Sequence, residues 1–133
     1  MKLTLKCALA ALLLMLSFAA PVAAGPIEDA ATAFRRGDYA TALRLLRPLA
    51  DQGSVAAQFD LGLLYDNGWG VPKNSIEAFK WYRLATEQGY AKSQYNLGVM
   101  YGNGEGVPQN DAESVRWYRL AAQQGYAKSQ FNL

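Results

Sequence analysis

From Ser54 onward the chain repeats itself with a period of 36 residues. Leu61, Leu97 and Leu133 keep this step, as do Gly62 and Gly98, Tyr65 and Tyr101, Gly68 and Gly104, and Gly70 and Gly106. The register continues through Val71-Pro72 and Val107-Pro108, and then through Trp81-Tyr82-Arg83-Leu84-Ala85 and Trp117-Tyr118-Arg119-Leu120-Ala121. Tyr90-Ala91-Lys92-Ser93-Gln94 recurs as Tyr126-Ala127-Lys128-Ser129-Gln130. A unit this short cannot bury its apolar face alone, so a repeat of this period implies stacked supersecondary units.

Each unit reads as two helices. Apolar or small residues at i, i+3, i+4 and i+7 predict a first helix over 55–65, and again over 91–101. Gly68 and Gly104 are placed to end these helices in the left-handed conformation. Pro72 and Pro108 then hold the preceding valine extended in a loop. Asn74 and Asn110, each with glutamate three residues on, mark the start of a second helix as a capping box in its Asn form. That helix should bury Ala78, Trp81, Tyr82 and Ala85, with Ser114, Trp117, Tyr118 and Ala121 in the next unit.

Residues 25–53 fit the same frame with a tighter turn: helices over 27–36 and 40–52, joined at Gly37-Asp38-Tyr39. One period before Ala78, Trp81, Tyr82, Ala85 and Gly89 stand Ala42, Leu45, Leu46, Leu49 and Gly53. Pro48 falls inside the second of these helices and should kink or shorten it.

The first 24 residues have a different character. Lys2 and Lys6 precede an almost wholly apolar run from Cys7 to Ala20, Pro21 follows, and Val22-Ala23-Ala24 supplies small residues. This order is that of a secretory signal peptide, with cleavage expected after Ala24. The apolar run is shorter than the ~20 residues that a stable bilayer span needs. The mature chain is then expected to be exported, periplasmic or secreted, with no membrane span. Cys7 is the only cysteine, so the mature part would have no disulfide and must be held by packing. Removing Lys2 and Lys6 leaves 13 − 2 = 11 basic side chains against 11 acidic ones. No basic stripe remains to suggest nucleic acid.

Leu61-Gly62-x-x-Tyr65-x-x-Gly68-x-Gly70-Val71, followed by Ala78-x-x-Trp81-Tyr82-x-x-Ala85 and Gly89, resembles the Sel1-like repeat. Residues 33–42, with Gly37-Asp38-Tyr39, look more like the related tetratricopeptide repeat. Asn74 and Asn110 stand where the Sel1-like pattern usually has Asp, and Ser114 replaces a small apolar residue. The resemblance implies an all-α fold, a right-handed α-solenoid of antiparallel helix pairs. The organisation is a signal over 1–24, a tetratricopeptide-like hairpin over 25–53, repeats over 54–89 and 90–125, and the start of a truncated third repeat over 126–133. This truncation suggests either a fragment of a longer array or an edge that docks another subunit.

The repeated glycines and aromatics are expected to build the solenoid. Gly62 and Gly98 sit mid-helix at a cost of about 1 kcal/mol each, which close helix approach would justify. By resemblance, partner binding falls on the first helices, whose concave-face positions are Ala56, Phe59, Leu63 and Asp66 in one unit. Lys92, Tyr95, Val99 and Gly102 follow in the next, then Lys128 and Phe131. From these, Phe59, Leu63, Lys92, Tyr95, Val99, Lys128 and Phe131 form the expected partner-binding set. Aromatic anchors with a recurring lysine suit an extended peptide or a partner helix.

Catalysis is not expected. The chain has no histidine and no mature cysteine, which removes thiol chemistry, histidine relays and most zinc sites; no metal or cofactor is implied. No serine has lysine three residues on. Glu77 and Glu113 are accounted for by capping, and Asp60, Asp66, Glu87, Glu105 and Asp111 read as dispersed. A non-enzymatic adaptor or scaffold of the cell envelope, binding a protein or peptide, is the reading that remains. One alternative is a periplasmic regulator of a membrane sensor or cell-wall enzyme. Another is β-lactam binding or hydrolysis, linked to exported relatives whose repeats are stapled by paired cysteines that this chain lacks.

Overall fold

The computed structural model describes residues 25–132, apart from the Phe131 side chain. The segment read as an export signal, with Cys7 and the expected cleavage point, lies outside the described residues. Among these, seven helices succeed one another: α1 (Pro26–Arg35), α2 (Tyr39–Asp51), α3 (Val55–Asn67), α4 (Ser75–Glu87), α5 (Ala91–Asn103), α6 (Asp111–Gln123) and α7 (Ala127–Phe131). Substantial packing joins only helices adjacent in the chain, the signature of a solenoid. The all-α solenoid is thus the observed architecture.

Local chemistry sets the helix ends. Gly68 and Gly104 both adopt φ 68°, and their N–H groups donate to Leu64 O and Met100 O. This left-handed cap lets α3 and α5 run to Asn67 and Asn103, two residues past the tyrosines where periodicity alone ends them. Asn74 and Asn110 cap α4 and α6, accepting from the N–H of Glu77 and Glu113 at 3.1 Å. The capping box is only half formed, however. The N–H groups of Asn74 and Asn110 already donate to the carbonyls of Tyr65 and Tyr101 at 2.9 Å. Glu77 and Glu113 are therefore free to pair with Lys80 and Arg116.

Pro48 does not shorten α2, which runs on to Asp51. The proline is exposed, so the carbonyl it leaves without an amide partner can be hydrated.

Two buried clusters share α4. Trp81 clusters with Ala42, Leu46, Leu61 and Leu64 of the two preceding helices, whereas Tyr82, seated on Gly62 of α3, joins the cluster of Ala78, Leu97 and Met100 that reaches α5. Consecutive residues on one helix thereby tie three units together. In the following unit Trp117 and Tyr118 are only half-buried.

A second stitch is polar. Gln88 Nε2 donates to Gly53 O at 3.1 Å and to Gln58 Oε1 at 2.9 Å. One period later Gln124 Nε2 donates to Gly89 O at 2.9 Å and to Gln94 Oε1 at 2.8 Å. The loops supply a third. A β-carbon at Gly70 would lie 2.9 Å from the Tyr39 β-carbon, and one at Gly106 would meet the Ser75 carbonyl. Each repeat loop is laid on the start of the preceding second helix.

Candidate functional site

The first helices α3, α5 and α7 carry the residues expected to bind a partner, and their aromatic members are held in place by tyrosines. Phe59 is half-buried, its ring 5.7 Å from that of Tyr82 and 5.2 Å edge-on from that of Tyr90. Tyr95 repeats this arrangement, 5.5 Å from Tyr118 and 5.4 Å from Tyr126. Aromatic pairs at such separations are mutually attractive, so the two rings are fixed before any partner arrives. Leu63 and Val99 are half-buried beside them, while Lys92 and Lys128 are exposed. Asn132 Nδ2 donates to the Tyr95 hydroxyl at 3.4 Å, which brings α7 onto the same band.

Two carboxylates join this band: Asp66, expected on the concave face, and Asp60, which the spacing left among dispersed acids. Burial pushes the Asp60 carboxyl up to about 6, with the Lys92 ammonium opposing the shift. Asp66 is also raised by burial and by Glu105, against the Tyr82 hydroxyl and Lys73. Tyr82 Oη donates to Asp66 Oδ2 at 3.2 Å. Burial, the charge of Asp66 and the hydrogen bond to it, and the charge of Asp60 together drive the Tyr82 hydroxyl far upward, so it stays a proton donor. Tyr90 is raised by burial, by Asp60 and by Tyr126. Asp60, Leu63 and Asp66 form an i, i+3, i+6 row along α3. That spacing was the available signal.

The band offers aromatic edges, hydroxyl donors, half-buried carboxylates and flexible ammonium groups. Burial holds the Tyr82, Tyr90 and Tyr118 hydroxyls in their protonated form. The second unit lacks both carboxylates, with Asn96 one period after Asp60. Gly102 replaces Asp66, and Ser114, whose Oγ donates to Gly98 O at 2.6 Å, would lie 3.0 Å from a β-carbon there. The acidic half of the band therefore belongs to α3 alone.

Comparison with known proteins adds the following. The family model described as Sel1 repeat matches residues 33–54, 55–90 and 91–126. Among solved structures, a Sel1 repeat protein from Oxalobacter formigenes is 42% identical, with TM-score 0.74. That match covers 77% of this chain and 42% of the other. A protective antigen present in uropathogenic Escherichia coli strains, displaying an SLR fold, is 32% identical with TM-score 0.73, covering 78% of this chain and 24% of that one. The chain thus spans less than half the length of either. Cysteine rich protein B of Helicobacter pylori shares the fold at 24% identity and TM-score 0.65, with 69% of each chain covered. A comparison with curated proteins finds no match.

Proposed function

The chain belongs to the Sel1 repeat family, and from that premise we propose that it is a non-enzymatic adaptor whose first-helix face holds an extended peptide or a helix of a partner protein. Sel1 repeat proteins are in general protein-interaction scaffolds. The observation that carries the reading is the repeated aromatic band. Phe59 and Tyr95 stand one period apart, each braced by two tyrosines, with an exposed lysine beside each group. Rings fixed in advance lose little side-chain entropy on binding, which favours them as anchors. Lys92 and Lys128 add selectivity for acidic groups, while Asp60 and Asp66 accept donors from the same partner. The charged, apolar and small-residue order of residues 1–24 supports export to the periplasm or beyond.

A photocrosslinking residue at Lys128, introduced in the producing cell, tests the binding face. A discrete adduct is expected there and not from the same residue at Arg35. Charge reversal at Lys92 should lower its yield severalfold. An unchanged yield from a variant of unchanged helicity would overturn the reading. The intact mass of the exported protein checks the signal, with loss of Met1–Ala24 expected.

A further inference from the structure

A cleft of about 360 Å³ opens between α4, α5 and α6, walled by Phe79, Leu97, Tyr101 and Trp117, with Arg83 and Glu87 at its rim. At 100° per residue, Leu97 and Tyr101 lie on the opposite side of α5 from Tyr95 and Val99. The cleft is therefore separate from the aromatic band and does not depend on the role given to it.

The repeat itself shows what chemistry this place accepts. One period earlier, Arg47 lies over the Trp81 ring, its guanidinium carbon 5.4 Å from the ring centroid, while its Nε pairs with Asp51 at 3.6 Å. Arg83 and Trp117 occupy the equivalent positions, yet no such stacking joins them among the described residues. Arg83 Nε keeps the equivalent pairing, with Glu87 at 3.4 Å, where glutamate stands in place of the earlier unit's aspartate. Trp81 is 7% exposed, whereas Trp117 is only half-buried. Arg116 lies over Trp117 at 4.9 Å but does not line the cleft. The surface that the chain covers with its own guanidinium in one interface is thus open in the next, with a carboxylate at its edge.

We propose that this cleft receives an arginine side chain of a partner protein, its guanidinium on the cleft side of the Trp117 ring and its charge beside Glu87. The planar cation meets the π-face of the indole, and Phe79 and Tyr101 flank its aliphatic stem. Glu87 then exchanges its exposed pairing with Arg83 for a pairing at the cleft, where part of the water is excluded.

The test uses the mature chain and N-acetyl-arginine N-methylamide, followed by the indole N–H resonance of Trp117, assigned with Trp117→Phe. A saturable shift is expected, about tenfold tighter than for the blocked citrulline analogue, which has the same shape and no charge. Glu87→Gln should weaken arginine-probe binding severalfold. Arg83→Ala should strengthen it, because the competing guanidinium is gone. Far-UV circular dichroism checks that both variants fold. Equal affinity for arginine and citrulline probes would overturn the proposal, as would weaker binding to a folded Arg83→Ala variant. Binding of free arginine but not of the blocked probe would also overturn it, since a side chain within a protein partner could not then be the occupant.

Discussion

The ring of Tyr82 lies against Gly62, its Cδ1 and Cε1 in the volume a β-carbon would fill. The glycine that weakens α3 is what allows α4 to come this close, and Tyr82 is fully buried as a result. Gly62→Ala gains about 1 kcal/mol of helix propensity but forces the ring or the helix to move. A net loss of about 1–3 kcal/mol is expected from overpacking, read from denaturant midpoints. Gly98→Ala should cost less. Its β-carbon would lie 2.7 Å from the Tyr118 ring, but that ring is only half-buried and has room to yield.

Gly106 and Gly89 both have positive φ, at 69° and 82°, but their surroundings differ. A β-carbon at Gly106 would strike the Ser75 carbonyl, which belongs to backbone and cannot turn aside, whereas nothing lies within 4 Å at Gly89. Gly89→Ala is expected to cost the left-handed conformation alone, about 1–2 kcal/mol. Gly106→Ala should lower the thermal midpoint further, because the loop must also lift off α4. Equal losses in the two variants would show that the loop contact contributes nothing.

Asp60 gives the protein a pH dependence of definite sign. Its carboxyl is raised from the ordinary 3.8 to about 6, chiefly by burial, so the folded state holds the proton more tightly than the unfolded chain. The resulting stabilisation is complete below pH 4 and is lost as pH rises through 6. Solvent screening at this half-buried position limits the effect to about 1–2 kcal/mol. Asp60→Asn should remove this slope between pH 4 and 7 and be more stable than the parent at pH 7. Urea unfolding across that range is the measurement. A Lys92→Gln variant should show a steeper slope, because the opposing charge is lost.

Gln88 bridges two units through one amide group. Gln88→Leu would strip the partner from Gly53 O and from Gln58 Oε1. A loss of about 1–2 kcal/mol is expected. A double-mutant cycle with Gln58→Ala should then give a coupling of about 0.5–1 kcal/mol. Strict additivity would show that the ladder is incidental to stability.

Much of this was legible beforehand because the repeat samples each position more than once. The left-handed caps at Gly68 and Gly104, the Asn caps at Asn74 and Asn110, and the buried face of α4 followed from spacing and residue chemistry. The capping box was overread because its second bond competes with a donor already given to Tyr65, a residue nine positions earlier. Asp60 was overlooked, and Asp66 placed on the concave face but left out of the binding set, for a related reason. Their importance comes from Tyr82, Tyr90 and Lys92, which only the packing of α4 and α5 brings beside them.

The sequence by itself determined the architecture: helix pairs of fixed length, their ends, and the aromatic and glycine positions that must meet when identical units stack. Those properties are local or periodic, and a period carries its own geometry. Only the tertiary structure decided that Tyr82 rests on Gly62 and that Trp81 and Tyr82, though adjacent, enter different core clusters. It alone revealed a desolvated carboxylate on α3, and that Arg47 covers Trp81 whereas Trp117 is covered by Arg116 and not by Arg83, the equivalent of Arg47. Those differences arise where one unit touches the next, from side-chain length and solvent exclusion, and no spacing along a single chain records them.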